Sequence, residues 1–123
     1  MSGFDRTYFI GRLTADPVRK ATKGGTELCE FSVAVDRGFG EKKTTVFFRC
    51  TVWGNAIDTV MRLFHKGDWI AVDGQVTASA YTGKDGTPKA SLNVNVNNFL
   101  FMKPKGEKAE NDFTAVQDEE NPF

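Results

Sequence analysis

Apolar and polar residues alternate with a period of two through most of this chain, and the alternation breaks at clusters of glycine, proline and small polar residues, as in short strands joined by turns. The run Thr7 to Leu13 is rich in β formers and closes at Asp16-Pro17, which predicts a first strand. Beyond Gly24-Gly25, Cys29, Phe31, Val33 and Val35 fall on one face and Glu30, Ser32 and Asp36 on the other, a half-buried second strand. A polar loop, Arg37 to Thr44, leads into a third strand, Thr45 to Gly54, which sets Val46, Phe48, Cys50 and Val52 against Phe47, Arg49, Thr51 and Trp53. The period then changes. Ile57, Val60, Met61 and Phe64 recur at helical spacing behind Asn55, a capping residue, and Gly67 marks the end. Strands over Trp69 to Thr77 and Lys89 to Val96 follow, joined through Ser79-Ala80-Tyr81 and the turn Thr82 to Thr87, with a short final strand from Phe99 to Met102.

Five main strands, with one short helix between the third and fourth, a long hairpin between the fourth and fifth and the short final strand beyond them, predict an all-β, five-stranded Greek-key barrel, the OB-fold. Residues 1–103 form this barrel domain. Residues 104–117 lack periodicity and read as a flexible linker, and residues 118–123 form an acidic tip, so the C-terminal tail is expected to be disordered.

The length of 123 residues suits one domain, and eleven phenylalanines are more than so small a core needs. The formal net charge is zero, but it is unevenly spread: residues 1–105 hold 15 basic against 10 acidic side chains, whereas residues 106–123 hold one against six. A basic body suits a polyanionic ligand, and the acidic tail suits a basic partner or the body itself. Cys29 and Cys50 lie inside β-like runs with no second pair nearby, which suits core residues of a cytosolic protein. No basic segment followed by an apolar run opens the chain, and no apolar stretch is long enough to span a membrane.

Rings and cations are interleaved along the chain. Phe39 lies between Arg37 and Lys42-Lys43, Phe47 and Trp53 flank Arg49 on one strand face, and Tyr81 precedes Lys84 on the hairpin. Arg6, Arg12, Arg19, Lys20 and Lys89 could extend the basic path. Stacking platforms beside phosphate-neutralising cations are what unstructured nucleic acid requires. Phe47 and Trp53 could instead face the barrel interior, although the opposite face carries no charge and makes the better core. Tyr81 could cap the barrel end, and Trp69 suits core or interface packing. A barrel of this composition could equally bind RNA, an oligosaccharide or a protein.

At the C-terminus, Asp118, Glu119, Glu120, Asn121, Pro122 and Phe123 combine acids, a stiffening proline and a ring beside the terminal carboxylate, the makings of a docking peptide. His65 is the sole histidine, and no metal-ligand cluster, catalytic triad or phosphate-cradling glycine loop is found. It is placed instead at the helix C-terminus, where it suits the dipole. Neither an enzyme nor a cofactor is expected.

Several stretches, taken in order, resemble the bacterial-type single-stranded DNA-binding proteins: Phe9-Ile-Gly-Arg-Leu-Thr with Ala15-Asp-Pro17, Phe31-Ser-Val-Ala-Val, Phe48-Arg-Cys-Thr-Val-Trp-Gly54, Lys66-Gly-Asp, Val72-Asp-Gly-Gln75 and the C-terminal Asp-Glu-Glu-Asn-Pro-Phe. The resemblance implies bases stacked on Phe39, Phe47, Trp53 and Tyr81. It further implies a homotetramer, and a tail that docks replication, recombination and repair proteins near the cytoplasmic nucleoid. Phe39, Phe47 and Tyr81 stand where that family often has tryptophan, and Asn121 stands where it has an aliphatic residue.

Overall fold

The computed structural model describes residues 3–102; the expected linker and tip lie outside the described residues. Strands β1 (Thr7–Leu13), β2 (Val18–Ala21), β3 (Glu27–Arg37), β4 (Thr44–Trp53), β5 (Trp69–Thr82) and β6 (Pro88–Met102) form one sheet, with helix α1 (Ala56–Leu63) between β4 and β5. The sheet closes on itself. β1 pairs with β3, β3 with β4 and β6 with β5, and β5 returns to β1, all antiparallel; β4 and β6 seal the circuit in parallel. This is the OB-fold barrel that the pattern predicts.

The sixth strand comes from splitting the first. β2 continues along the edge of β3 that β1 begins: Leu13 faces Val33, the Thr14 amide donates to the Ser32 carbonyl at 3.0 Å, and Val18 faces Glu30. Pro17 has no amide to give to the ladder, so one barrel strand becomes two pieces. β2 carries a single apolar β former, Val18, so the pattern did not mark it as a strand.

The predicted strands 89–96 and 99–102 are a single strand. Asp73 faces Asn98 and Gly74 faces Val96, which leaves Asn97 as the extra residue of a bulge. Leu92, Val94 and Val96 point inward before it, and Phe99 and Phe101 after it, so the bulge reverses the parity and imitates a strand end. β5 likewise runs through Ser79, Ala80 and Tyr81, which the sequence had assigned to a connection.

The core gathers the inward faces: Val33, Phe48, Cys50, Val52, Ile70 and Val94, with Phe9 stacked on Phe48 at 4.1 Å between ring centroids. Ile57 and Val60 of α1, and Phe64 just beyond it, complete it, and the Phe64 ring meets Phe99 and Phe101 edge-on at 5.7 and 5.1 Å. Asn55 makes no side-chain cap bond, and the helix ends at Leu63, four positions before Gly67, which was expected to end it. Gly67 instead sits in the following turn at a φ of 90°, where its amide donates to Leu13. His65 therefore lies beyond the helix, its backbone amide donating to Asp68 at 2.8 Å. Burial pushes the Cys29 thiol up to about 11 and the Cys50 thiol up to about 12, so both are protonated and inert at neutral pH.

Candidate nucleic-acid interface

Paired residues of neighbouring strands share a side of the sheet, so the register maps the outside of the barrel. On β4 the outward set is Phe47, Arg49, Thr51 and Trp53. Ala34, Ser32, Glu30 and Leu28 lie beside them on β3, and Asn93 and Asn95 on β6. The same side continues onto β5 through Gln75, Thr77 and Ser79 to Tyr81, which faces Lys89 across the hairpin. Trp53 is 43% exposed, Phe47 60% and Tyr81 52%, which rules out the inward alternative for the β4 pair. Phe39, in the β3–β4 loop, is 93% exposed, and no apolar neighbour covers it.

Backbone geometry puts these rings in place. Gly38 and Gly40 adopt φ values of 85° and 57° on either side of Phe39, a path that lifts the ring off the barrel before the single 3-10 turn Gly40–Lys42. At the far tip, Gly83 and Thr87 close the hairpin, and Asp85 accepts bonds from the Thr87 amide and hydroxyl at 3.1 and 2.6 Å. Those bonds hold the Asp85 carboxyl below the usual range.

The cations read from the sequence divide. Lys20 shares the ring face through its partner Leu28, as does Arg12 through Ala34. Lys42, Lys43 and Lys84 sit on the loops that flank it, and Arg37 ends β3 beside the Phe39 loop. Two are elsewhere. Arg19 pairs with buried Cys29 on the opposite side of the sheet and is bound to Asp58 of α1, which raises its pKa. Arg6 clasps Asp73 through two nitrogens, one at 3.2 Å, and lies 5.1 Å over the Tyr8 ring; the Asp73 bond raises its pKa.

Half of the remaining cations already have carboxylate partners. Glu30 lies 2.6 Å from Lys20 and 3.8 Å from Arg49, and Asp36 lies 3.2 Å from Arg12 and 3.5 Å from Lys43. The Thr45 hydroxyl, donating at 2.7 Å, together with Lys43 and Arg12, holds the Asp36 carboxyl below its ordinary value. Among the described residues, Arg37, Lys42, Lys84 and Lys89 have no ion-pair partner.

The polar floor between the rings was missed in the sequence. The Trp53 indole N–H donates to Asn95 Oδ1 at 3.0 Å. Asn93 donates to Ser79 Oγ at 3.0 Å and accepts from Ser91 at 3.2 Å. The run Asn93-Val94-Asn95-Val96 carried the signal, since valine on the inner face requires asparagine on the ring face. Trp69, read as core or interface, is 39% exposed, with the Arg12 guanidinium 5.5 Å over its ring.

Comparison with known proteins agrees with this architecture. A single-stranded DNA-binding protein of Chlamydia trachomatis is 35% identical over 94 residues, 76% of this chain and 60% of that protein. One from Lactiplantibacillus plantarum is 32% identical over 107 residues, 84% of this chain and 53% of that protein. The chain thus spans at most 60% of the length of either relative. A solved structure, the Plasmodium falciparum SSB complex with ssDNA, superposes with a TM-score of 0.66 at 21% identity, covering 84% of this chain and 98% of that one, a likeness of fold. Residues 4–102 match the single-strand binding protein family, a span that takes in the whole barrel together with Phe39, Phe47, Trp53 and Tyr81, and the chain belongs to that family.

Proposed function

We propose that this chain binds single-stranded DNA with little regard to sequence, stacking bases on Phe39, Phe47, Trp53 and Tyr81 while Arg37, Lys42, Lys43, Arg49, Lys84 and Lys89 meet the phosphates. The observation that carries this reading is the shared exposed face of Phe47, Trp53 and Tyr81, with Arg49 between the first two and Lys89 opposite the third. Every base offers a π-face, so stacking tolerates any sequence. The names of the relatives and the content of the superposed complex favour DNA over the RNA, sugar and protein alternatives. The reading needs neither a cofactor nor a catalytic group.

Bound strands would be shielded from other chemistry, and the tip from Asp118 to Phe123 would recruit replication, recombination and repair proteins, with Phe123 entering an apolar pocket and the acids lying on its basic rim. A homotetramer, working with DNA in the cytoplasm, fits a second outer surface of the barrel. There Tyr8, Ile10, Ala71 and Leu100 line an open apolar groove of about 840 Å³ on the β1–β5–β6 side. An exposed apolar patch of that kind is suited to burial against another copy.

Titration with oligo-dT at fixed salt tests the base-stacking face. Trp53→Ala should weaken binding by about 1–3 kcal/mol, the usual value of one stacking platform. Undiminished affinity would overturn the assignment of that face.

A further inference from the structure

Trp69 opens β5 on the outside of the barrel and is exposed almost as much as Trp53, yet the four stacking rings leave it out. Register fixes its place. Phe47 faces Ala34, Ala34 faces Arg12 and Arg12 faces Trp69, so these four residues form one outward row across β4, β3, β1 and β5. Three strand spacings set Trp69 about 14 Å from Phe47 along the sheet. Ala34, with only a methyl group, puts no bulk between Phe47 and Arg12. The backbone beneath Trp69 is held from β1: the Leu13 amide donates to the Asp68 carbonyl at 3.0 Å, and the Gly67 amide to the Leu13 carbonyl at 2.8 Å.

Arg12 ties the indole to the ring face. Its guanidinium lies 5.5 Å over the Trp69 ring and donates to Asp36 at 3.2 Å, and Asp36 also holds Lys43 and Thr45 at the entry to β4. The bond to Asp36 engages one of five guanidinium N–H groups on a half-exposed side chain, which leaves donors for a phosphate. The apolar groove is lined by Tyr8, Ile10, Ala71 and Leu100 and not by Trp69. We infer that Trp69 is a fifth stacking platform, onto which the strand bound at Phe47 continues across Ala34, with Arg12 meeting the phosphate between the two rings. This rests on the DNA-binding reading above. It extends along the row the pairing of ring and cation that Phe47, Arg49 and Trp53 make on β4.

The chain holds two tryptophans, so Trp53→Phe leaves Trp69 as the sole indole, and its emission reports on that ring directly. The full chain carrying Trp53→Phe is titrated with a long oligo-dT, while the anisotropy of an end-labelled copy in a parallel titration establishes saturation. The expected result is emission quenched in step with binding. Trp69→Ala, in an otherwise wild-type chain, should weaken oligo-dT binding about five- to hundredfold, the range of one stacking platform, with its molar mass in light scattering unchanged. Unquenched emission at saturation would overturn the inference, as would undiminished affinity in Trp69→Ala. A loss of affinity that accompanied a lower molar mass would also overturn it, placing Trp69 between copies of the chain. The emission arm keeps Trp69 in place, so it decides the matter even if Trp69→Ala fails to fold. If the wild-type chain did not bind oligo-dT, the DNA-binding reading itself would fall, an outcome distinct from saturated binding with an unquenched Trp69.

Discussion

Gly11 lies where β1 leaves β5 to join β3, and the backbones approach so closely there that a Cβ would sit 2.4 Å from the Ala34 carbonyl oxygen and 2.7 Å from a Val33 methyl. One obstacle is main chain, which cannot rotate away. Gly11→Ala should therefore destabilise the barrel by about 1–3 kcal/mol, the usual cost of overpacking, seen as a lower urea midpoint with an unchanged slope. In the sequence this glycine is only an interruption among β formers, because the neighbour it must avoid comes from a strand more than twenty positions away. The exposed rings were easier to read. Arg49 between Phe47 and Trp53 marked their face as solvated, and two glycines with flanking cations did the same for Phe39. The pairing of Lys20 and Arg49 with Glu30 was hidden, since it depends on which strands become neighbours.

Among the elements, α1 shows how a short segment acts through packing rather than through its own helical tendency. Eight residues without a side-chain cap bond make a marginal helix. It is held by Ile57 and Val60, and above all by Phe64, fully buried against Phe99 and Phe101. Phe64→Ala should cost about 3–5 kcal/mol in chemical denaturation, because the rigid barrel wall cannot collapse into the space left behind. A loss below about 1 kcal/mol would show that the wall does relax. The helical period 57, 60, 61, 64 made this element legible. The strands were legible wherever alternation was strict and failed at two irregularities with definite causes: Pro17, which splits the first barrel strand, and Asn97, whose bulge shifts the parity of the last. Both bend a strand that must follow a closed barrel, a demand made by the whole fold and absent from any local window.

For the whole molecule, the pairing of cations with carboxylates bears on how binding responds to ions in solution. A cation that meets a phosphate releases counterions from the strand, and for single strands the affinity falls with a log–log slope of about 0.7 per contact made. If all ten basic residues singled out in the sequence took part, that slope would be about −7. Arg6 and Arg19 face elsewhere, however, and Arg12, Lys20, Lys43 and Arg49 would exchange one anion for another on the proposed DNA ligand, leaving a carboxylate behind to gather ions of its own. Only Arg37, Lys42, Lys84 and Lys89 would contribute in full, so the expected slope per barrel lies near −3. Oligo-dT titrations across a range of salt concentrations measure it, and Glu30→Gln should steepen it by about 1.4 by freeing Lys20 and Arg49. A wild-type slope near −6 would mean that the carboxylates do not hold their partners in solution. With so shallow a slope, the proposed grip on a strand would depend mainly on stacking, and it would persist at ionic strengths that would strip DNA from a surface of unpaired lysines.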